Sequence, residues 1–153
     1  MRRMATILAA VALLVTFSSG VVLASFEDSI TGTDHTDIFT GTNKAEQISS
    51  LGGSDRINGG GGDDLVEGGK GPDELGDGLG QDTVYGGSGR DNLIGQGGDP
   101  SPDHFYAGNG NDTVQPVDTP AVEDFVNCGP GTDTVYADKA DTINDNCERV
   151  RVE

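Results

Sequence analysis

Large apolar residues recur along the chain at nearly constant spacing. Ile30, Phe39, Ile48, Ile57, Val66, Leu75, Val84, Leu93, Phe105, Val114, Val126, Val135 and Ile143 each stand two places after an acid. Those acids are Asp28, Asp37, Glu46, Asp55, Asp64, Asp73, Asp82, Asp91, Asp103, Asp112, Asp124, Asp133 and Asp141, stepping by nine residues except for twelve before Asp103 and Asp124 and eight before Asp141. A period of nine matches neither the 3.6 of an amphipathic helix nor a long alternating strand. It predicts an all-β chain built from one short strand and one turn per repeat. Gly59 to Ile94, GGGGDDLVE GGKGPDELG DGLGQDTVY GGSGRDNLI, shows the unit most clearly. Its glycines permit backbone angles closed to other residues, its aspartate offers a hard oxygen, and its apolar residue offers something to bury. If successive repeats lie on opposite sides of a coil, the apolar residues form two facing columns. Ile30, Ile48, Val66, Val84, Phe105, Val126 and Ile143 make one, and the other six make the second.

The Gly-Gly-x-Gly-x-Asp-x-apolar-x sentence resembles the repeats-in-toxin nonapeptide, the haemolysin-type calcium-binding repeat. The resemblance implies a right-handed parallel β-roll, a solenoid in which six residues form a turn, three form a strand, and two repeats complete one coil. It also implies calcium as the ligand, each ion lying between turns two repeats apart and taking an aspartate from each. Complete turns occur at Gly60/Gly62/Asp64, Gly69/Gly71/Asp73, Gly78/Gly80/Asp82, Gly87/Gly89/Asp91, Gly108/Gly110/Asp112 and Gly129/Gly131/Asp133. The implied pairs are Asp64 with Asp82, Asp73 with Asp91, Asp91 with Asp112, and Asp112 with Asp133. Asp55 with Asp73 and Asp82 with Asp103 are weaker, because Leu51 and Gln96 replace a glycine. Calcium suits such turns because it takes six to eight oxygens, whereas magnesium demands tighter octahedral geometry. Turns centred on Asp28, Asp37 and Glu46 lack the Gly-x-Gly pair and read as end coils without strong ion sites.

Composition sharpens this picture. Met1-Arg2-Arg3, the apolar run from Ala5 to Leu23, and the small residues Val22 and Ala24 predict a signal peptide over 1–24, cut after Ala24. The alternative is an uncleaved anchor, since the run is near the lower limit for a spanning helix. The β-roll is then expected over 25–145 and a capping strand over 146–153, where Glu148-Arg149-Val150-Arg151-Val152-Glu153 alternates. Residues 1–24 hold two arginines and no acid, so cleavage moves the net charge from −17 to −19. Such a chain repels nucleic acid and anionic membrane and attracts cations. One large apolar residue per repeat makes a thin core, so folding is expected to depend on a ligand that binds only the folded form. Cys128 and Cys147, nineteen residues apart and thus close to one coil, are expected to form a disulfide.

Catalytic signatures are missing. His35 and His104 form no H-E-x-x-H motif, Lys70 is followed by Gly71 rather than Ser or Thr, and no G-x-S-x-G elbow occurs. The chain reads as a secreted or surface-associated calcium-binding protein without enzymatic activity. The alternative is a binding module for an extracellular glycan or protein, with calcium building the scaffold. The two twelve-residue steps, Gly95 to Tyr106 and Pro116 to Asn127, fall on one edge one coil apart. They are expected to touch and form a bulge, with Tyr85 and Tyr106 on adjacent rungs beside it.

Overall fold

A computed structural model describes residues 28–116 and 118–152. The signal peptide expected over 1–24 lies outside the described residues, as do the outer ends of the expected roll and cap.

Among the described residues fourteen strands form two seven-stranded parallel sheets, joined alternately so that the chain winds as a β-solenoid. The first sheet contains β1 (Asp28–Thr31), β3 (Glu46–Ser49), β5 (Leu65–Lys70), β7 (Thr83–Gly89), β9 (His104–Gly110), β11 (Phe125–Asn127) and β13 (Thr142–Ile143). The second contains β2 (Ile38–Thr40), β4 (Arg56–Asn58), β6 (Glu74–Gly76), β8 (Asn92–Ile94), β10 (Thr113–Gln115), β12 (Thr134–Ala137) and β14 (Arg149–Val152). Strand order within each sheet follows the chain, every second strand adjacent, so each repeat stacks on the one two before it. The result is the parallel β-roll that the resemblance to the repeats-in-toxin nonapeptide implies. Among the described residues no helix is long and apolar enough to cross a membrane.

Register follows the apolar positions. Ile30, Ile48, Val66, Val84, Phe105, Val126 and Ile143 are successive partners in the first sheet. Phe39, Ile57, Leu75, Leu93, Val114 and Val135 are successive partners in the second. Ten of these thirteen are buried, and Ile30, Phe39 and Ile143 pack against them from the two ends. Burying both columns between the sheets fixes the register, because a one-residue slip would turn each column to water. Val84 still faces Phe105, and Phe105 still faces Val126, so both twelve-residue steps are absorbed in the turns.

Three features were not anticipated. Between β3 and β12 the residue two places after the large apolar one is in most repeats also buried, and Ala107, Cys128 and Ala137 stand there. Where that place holds glycine, nothing marks it as a core position in the sequence. Second, β5, β7 and β9 run six or seven residues instead of three. Gly69, Gly87 and Gly108 pair backbone to backbone across them, which glycine allows because no side chain separates the rungs. Third, the repeat has one more member: Val150 pairs with Val135, and Glu148 takes the acid position seven residues after Asp141. Cys128 and Cys147 form the expected disulfide, with Cα atoms 5.2 Å apart, tying the last turn to the body.

Phe105 is the largest fully buried side chain, whereas Ile38 is 75% exposed. Phe105→Ala is therefore expected to cost about 3–5 kcal/mol, and Ile38→Ala no more than about 0.5 kcal/mol. Denaturant titration at saturating calcium, comparing the midpoints, measures both.

Candidate metal centre

The acid of each repeat sits where a turn enters a strand, and it bonds to the coil below. The backbone N–H of Asp64 donates to Oδ1 of Asp82 at 2.7 Å, that of Asp73 to Asp91 at 2.9 Å, and that of Asp91 to Asp112 at 2.8 Å. Asp55 to Asp73, Asp82 to Asp103, Asp103 to Asp124 and Asp112 to Asp133 repeat the bond at 2.7–2.8 Å. The structure thus brings together every aspartate pair singled out in the sequence, one coil apart. Glu148 closes the series, accepting from Asp133 N–H at 2.9 Å.

Each bond uses one carboxylate oxygen and leaves the other. Oδ2 of Asp55, Asp64, Asp73, Asp82, Asp91, Asp112 and Asp133 is buried and has no hydrogen-bond partner. An ionised oxygen in that condition is costly unless a proton or a cation joins it. Burial is the main cause pushing Asp64 and Asp91 up to about 7 and Asp73 and Asp82 up to about 6, with neighbouring carboxylates adding to the rise. Backbone N–H donors pull the other way without cancelling it.

The glycines shape the space around these oxygens. Gly60 and Gly62 have φ of 101° and 109°, in the left-handed region. At Gly110 φ lies outside that region and the reason is room: a Cβ there would lie 1.6 Å from the carbonyl oxygen of Gly89 in the preceding coil. Turns therefore stack backbone on backbone, bringing carbonyl oxygens beside the orphaned carboxylate oxygens. Gly69, Gly71, Gly78, Gly80, Gly87, Gly89, Gly108, Gly129 and Gly131 line the same two edges, each facing a backbone atom of the preceding coil. Carboxylate and carbonyl oxygens together are the donor set that calcium takes, so the residues present fit that ion.

At the amino end the requirement is met differently. Thr33 donates its backbone N–H to Oδ2 of Asp37 at 2.7 Å and its hydroxyl to the same oxygen at 3.0 Å. Thr42 serves Glu46 in a related way, its N–H donating to Oε2 at 2.8 Å and its hydroxyl to Oε1. Both threonines occupy the place of the first glycine of the Gly-x-Gly pair. Sequence reasoning noticed the missing glycines; the shared threonine was the available sign of what replaces them.

A second departure lies on the edge that carries Asp64 and Asp82. Asp77, Asp99 and Asp118, none of them a consensus acid, are buried there. Asp77 accepts from Gly78 N–H at 2.5 Å and Gln96 N–H at 2.9 Å, and burial pushes it up to about 8. Asp99 accepts from Gly80 N–H at 2.7 Å and Ser101 N–H at 2.9 Å, closing the first enlarged turn. The enlarged turns turn acids inward. Burial pushes the carboxyl of Asp118 up, and the charge of Asp99 in the other enlarged turn adds to the rise.

Residues 40–75 and 77–114 match the family model of the RTX calcium-binding nonapeptide repeat, in four copies. Among curated proteins and solved structures nothing matches the chain. Proteins with these repeats are in general structural or binding rather than catalytic, and typically extracellular. The repeated Gly-x-Gly-x-Asp turns, the parallel coils and the buried carboxylate edges agree with that match: the stretch from 40 to 114 belongs to the RTX calcium-binding nonapeptide repeat family, folded as a parallel β-roll.

Proposed function

We propose that this is an exported protein whose roll assembles on calcium outside the cell, its activity being calcium binding in a structural or surface-associated role. The observation that carries the reading is the set of seven buried Oδ2 atoms, repeating down both edges without a donor. The ions belong between Asp64 and Asp82, Asp73 and Asp91, Asp91 and Asp112, and Asp112 and Asp133, with weaker sites at Asp55/Asp73 and Asp82/Asp103. The glycine carbonyls of the same turns complete their shells. Cleavage after Ala24 releases the roll into a compartment where calcium is plentiful. Each ion then offsets carboxylate repulsion that the thin core cannot.

A second reading, a calcium-built module for a glycan or protein partner, draws on the outer face of the first sheet. Tyr85 is 40% exposed and stacks on Tyr106 with centroids 4.8 Å apart, and Phe125 continues the row at 5.8 Å. Flat exposed aromatic rows suit sugar rings and protein contacts. On this reading, Tyr85→Ala with Tyr106→Ala abolishes capture on a glycan array or from an extracellular matrix extract, with calcium binding unchanged. Unchanged capture by the double variant removes it.

Circular dichroism at pH 8 is expected to show a largely disordered chain in chelator and β-structure in millimolar calcium; superimposable spectra contradict the proposal. Asp91→Ala and Asp112→Ala each damage two pairs and should lose more bound calcium than Glu46→Ala, whose carboxylate Thr42 satisfies. Equal losses in all three contradict the pairing.

Protons should partly replace calcium. A carboxyl whose folded value is raised stabilises the fold while protonated, fully so below about 4, its unfolded value. That contribution is lost as pH rises through 6 to 8, the values of Asp73, Asp82, Asp64, Asp91 and Asp77. In chelator, β-content at pH 5 should therefore exceed that at pH 8; the reverse order contradicts the account.

A further inference from the structure

From Asp77 onward the edge bearing the enlarged turns departs repeatedly from the repeat consensus: Asp77 replaces a first glycine, Gln96 replaces another, and residues are inserted before Asp103 and before Asp124. Read against the consensus alone, this edge has degenerated after Asp82. Its carboxylates are nonetheless drawn together. One oxygen each of Asp77, Asp82 and Asp103 lie within 4.8 Å of one another, and so do one oxygen each of Asp103, Asp118 and Asp124. Oxygens around a calcium ion stand at 2.3–2.6 Å from it, so any two lie at most about 5 Å apart. Both groups meet that limit as they stand.

Acids gather on many surfaces without holding an ion, but these are inside. Asp77 is fully buried and its Oδ2 has no partner; Oδ2 of Asp82 is likewise buried and alone. Asp118 is 7% exposed, and no N–H or hydroxyl of the chain donates to either of its oxygens; only a proton shared with the carboxyl of Asp124 would give it a partner. The neighbouring Asp99 supplies the contrast. Both of its oxygens are taken by backbone N–H groups, so it serves the turn. No such bond explains the burial of Asp118. An enlarged turn that merely tolerated extra residues would leave an aspartate in water.

We infer that Asp77, Asp82, Asp103, Asp118 and Asp124 form a two-ion calcium centre, with Asp77/Asp82/Asp103 holding one ion, Asp103/Asp118/Asp124 the second, and Asp103 shared. The centre goes beyond the consensus sites, because its added ligands come from a first-glycine position and from an insertion. Five carboxylates against two divalent ions leave one net negative charge. Three carboxylates per ion also replace carbonyl oxygens that the lost glycine turns no longer offer. The inserted residues thus serve to carry Asp118 inward, to the level of the ladder.

The test is the number of calcium ions bound by the full chain at saturation, from equilibrium dialysis at pH 8, with circular dichroism on the same samples. Asp118→Asn and Asp77→Asn should each bind one ion fewer than wild type, and the double variant two fewer, with the β-spectrum in calcium retained. If both single variants bind the wild-type number with wild-type affinity, the centre does not exist and the clusters share protons instead. Should Asp77→Asn fail to fold, Asp118→Asn decides, because no backbone N–H depends on the Asp118 carboxylate. Crystals of the wild type grown in calcium give an independent answer through anomalous scattering: two peaks beside Asp103 support the centre, and peaks only at the glycine turns overturn it. A wild-type chain that binds no calcium at all would instead refute the calcium-dependent roll, a separate outcome.

Discussion

The constraint on which this fold depends is the stacking of carboxylates inside it. A solenoid with one turn of sequence per half-coil places the same residue type directly above itself, so an acid in the repeat becomes a column of acids. The backbone ladder fixes each carboxylate by one oxygen, as in the 2.7 Å bond from Asp64 N–H to Asp82, and aims the other into the turn edge. Like charges a coil apart in a poorly hydrated edge repel, and on the proposed reading two thin apolar columns do not outweigh the repulsion. The proposal is therefore that the stability of the roll is set by what neutralises those oxygens.

The chain answers the same need in different ways along its length. At the amino end Thr33 and Thr42 satisfy Asp37 and Glu46 from within their own turns. Through the middle the threonine becomes glycine, the internal donor disappears, and the space opens to a ligand. At the carboxyl end the disulfide between Cys128 and Cys147 and the last strand β14 close the column. Coils at the amino end that need no ion are suited to stand as a template on which the ion-requiring coils add one by one, as expected of a solenoid in which each repeat touches only its neighbours.

Much of this was legible in the sequence, because a fixed period maps directly onto a solenoid. The nine-residue step located both apolar columns, both edges and the disulfide. What escaped has physical reasons. The second inward position is visible only where Ala107, Cys128 or Ala137 stands in for glycine. Glu148 and Val150 were missed as a repeat because the step shortens to seven, which a turn absorbs as readily as a step of twelve. The inward acids Asp77 and Asp118 could not be told from solvated turn residues, since burial of a side chain in an irregular turn depends on how that turn lies against its neighbour.

Hydrogen exchange resolved at single amides tests the central claim most directly. The N–H groups of Asp55, Asp64, Asp73, Asp82, Asp91 and Asp112 donate to the next coil, so each reports whether its rung is formed. At pH 8 these amides should exchange at nearly unfolded rates in chelator and slow together by at least about a hundredfold when calcium saturates, a coupling of about 2.7 kcal/mol or more. Strong protection of the same amides in chelator would show that the carboxylate columns are stable without a cation, and would contradict the account.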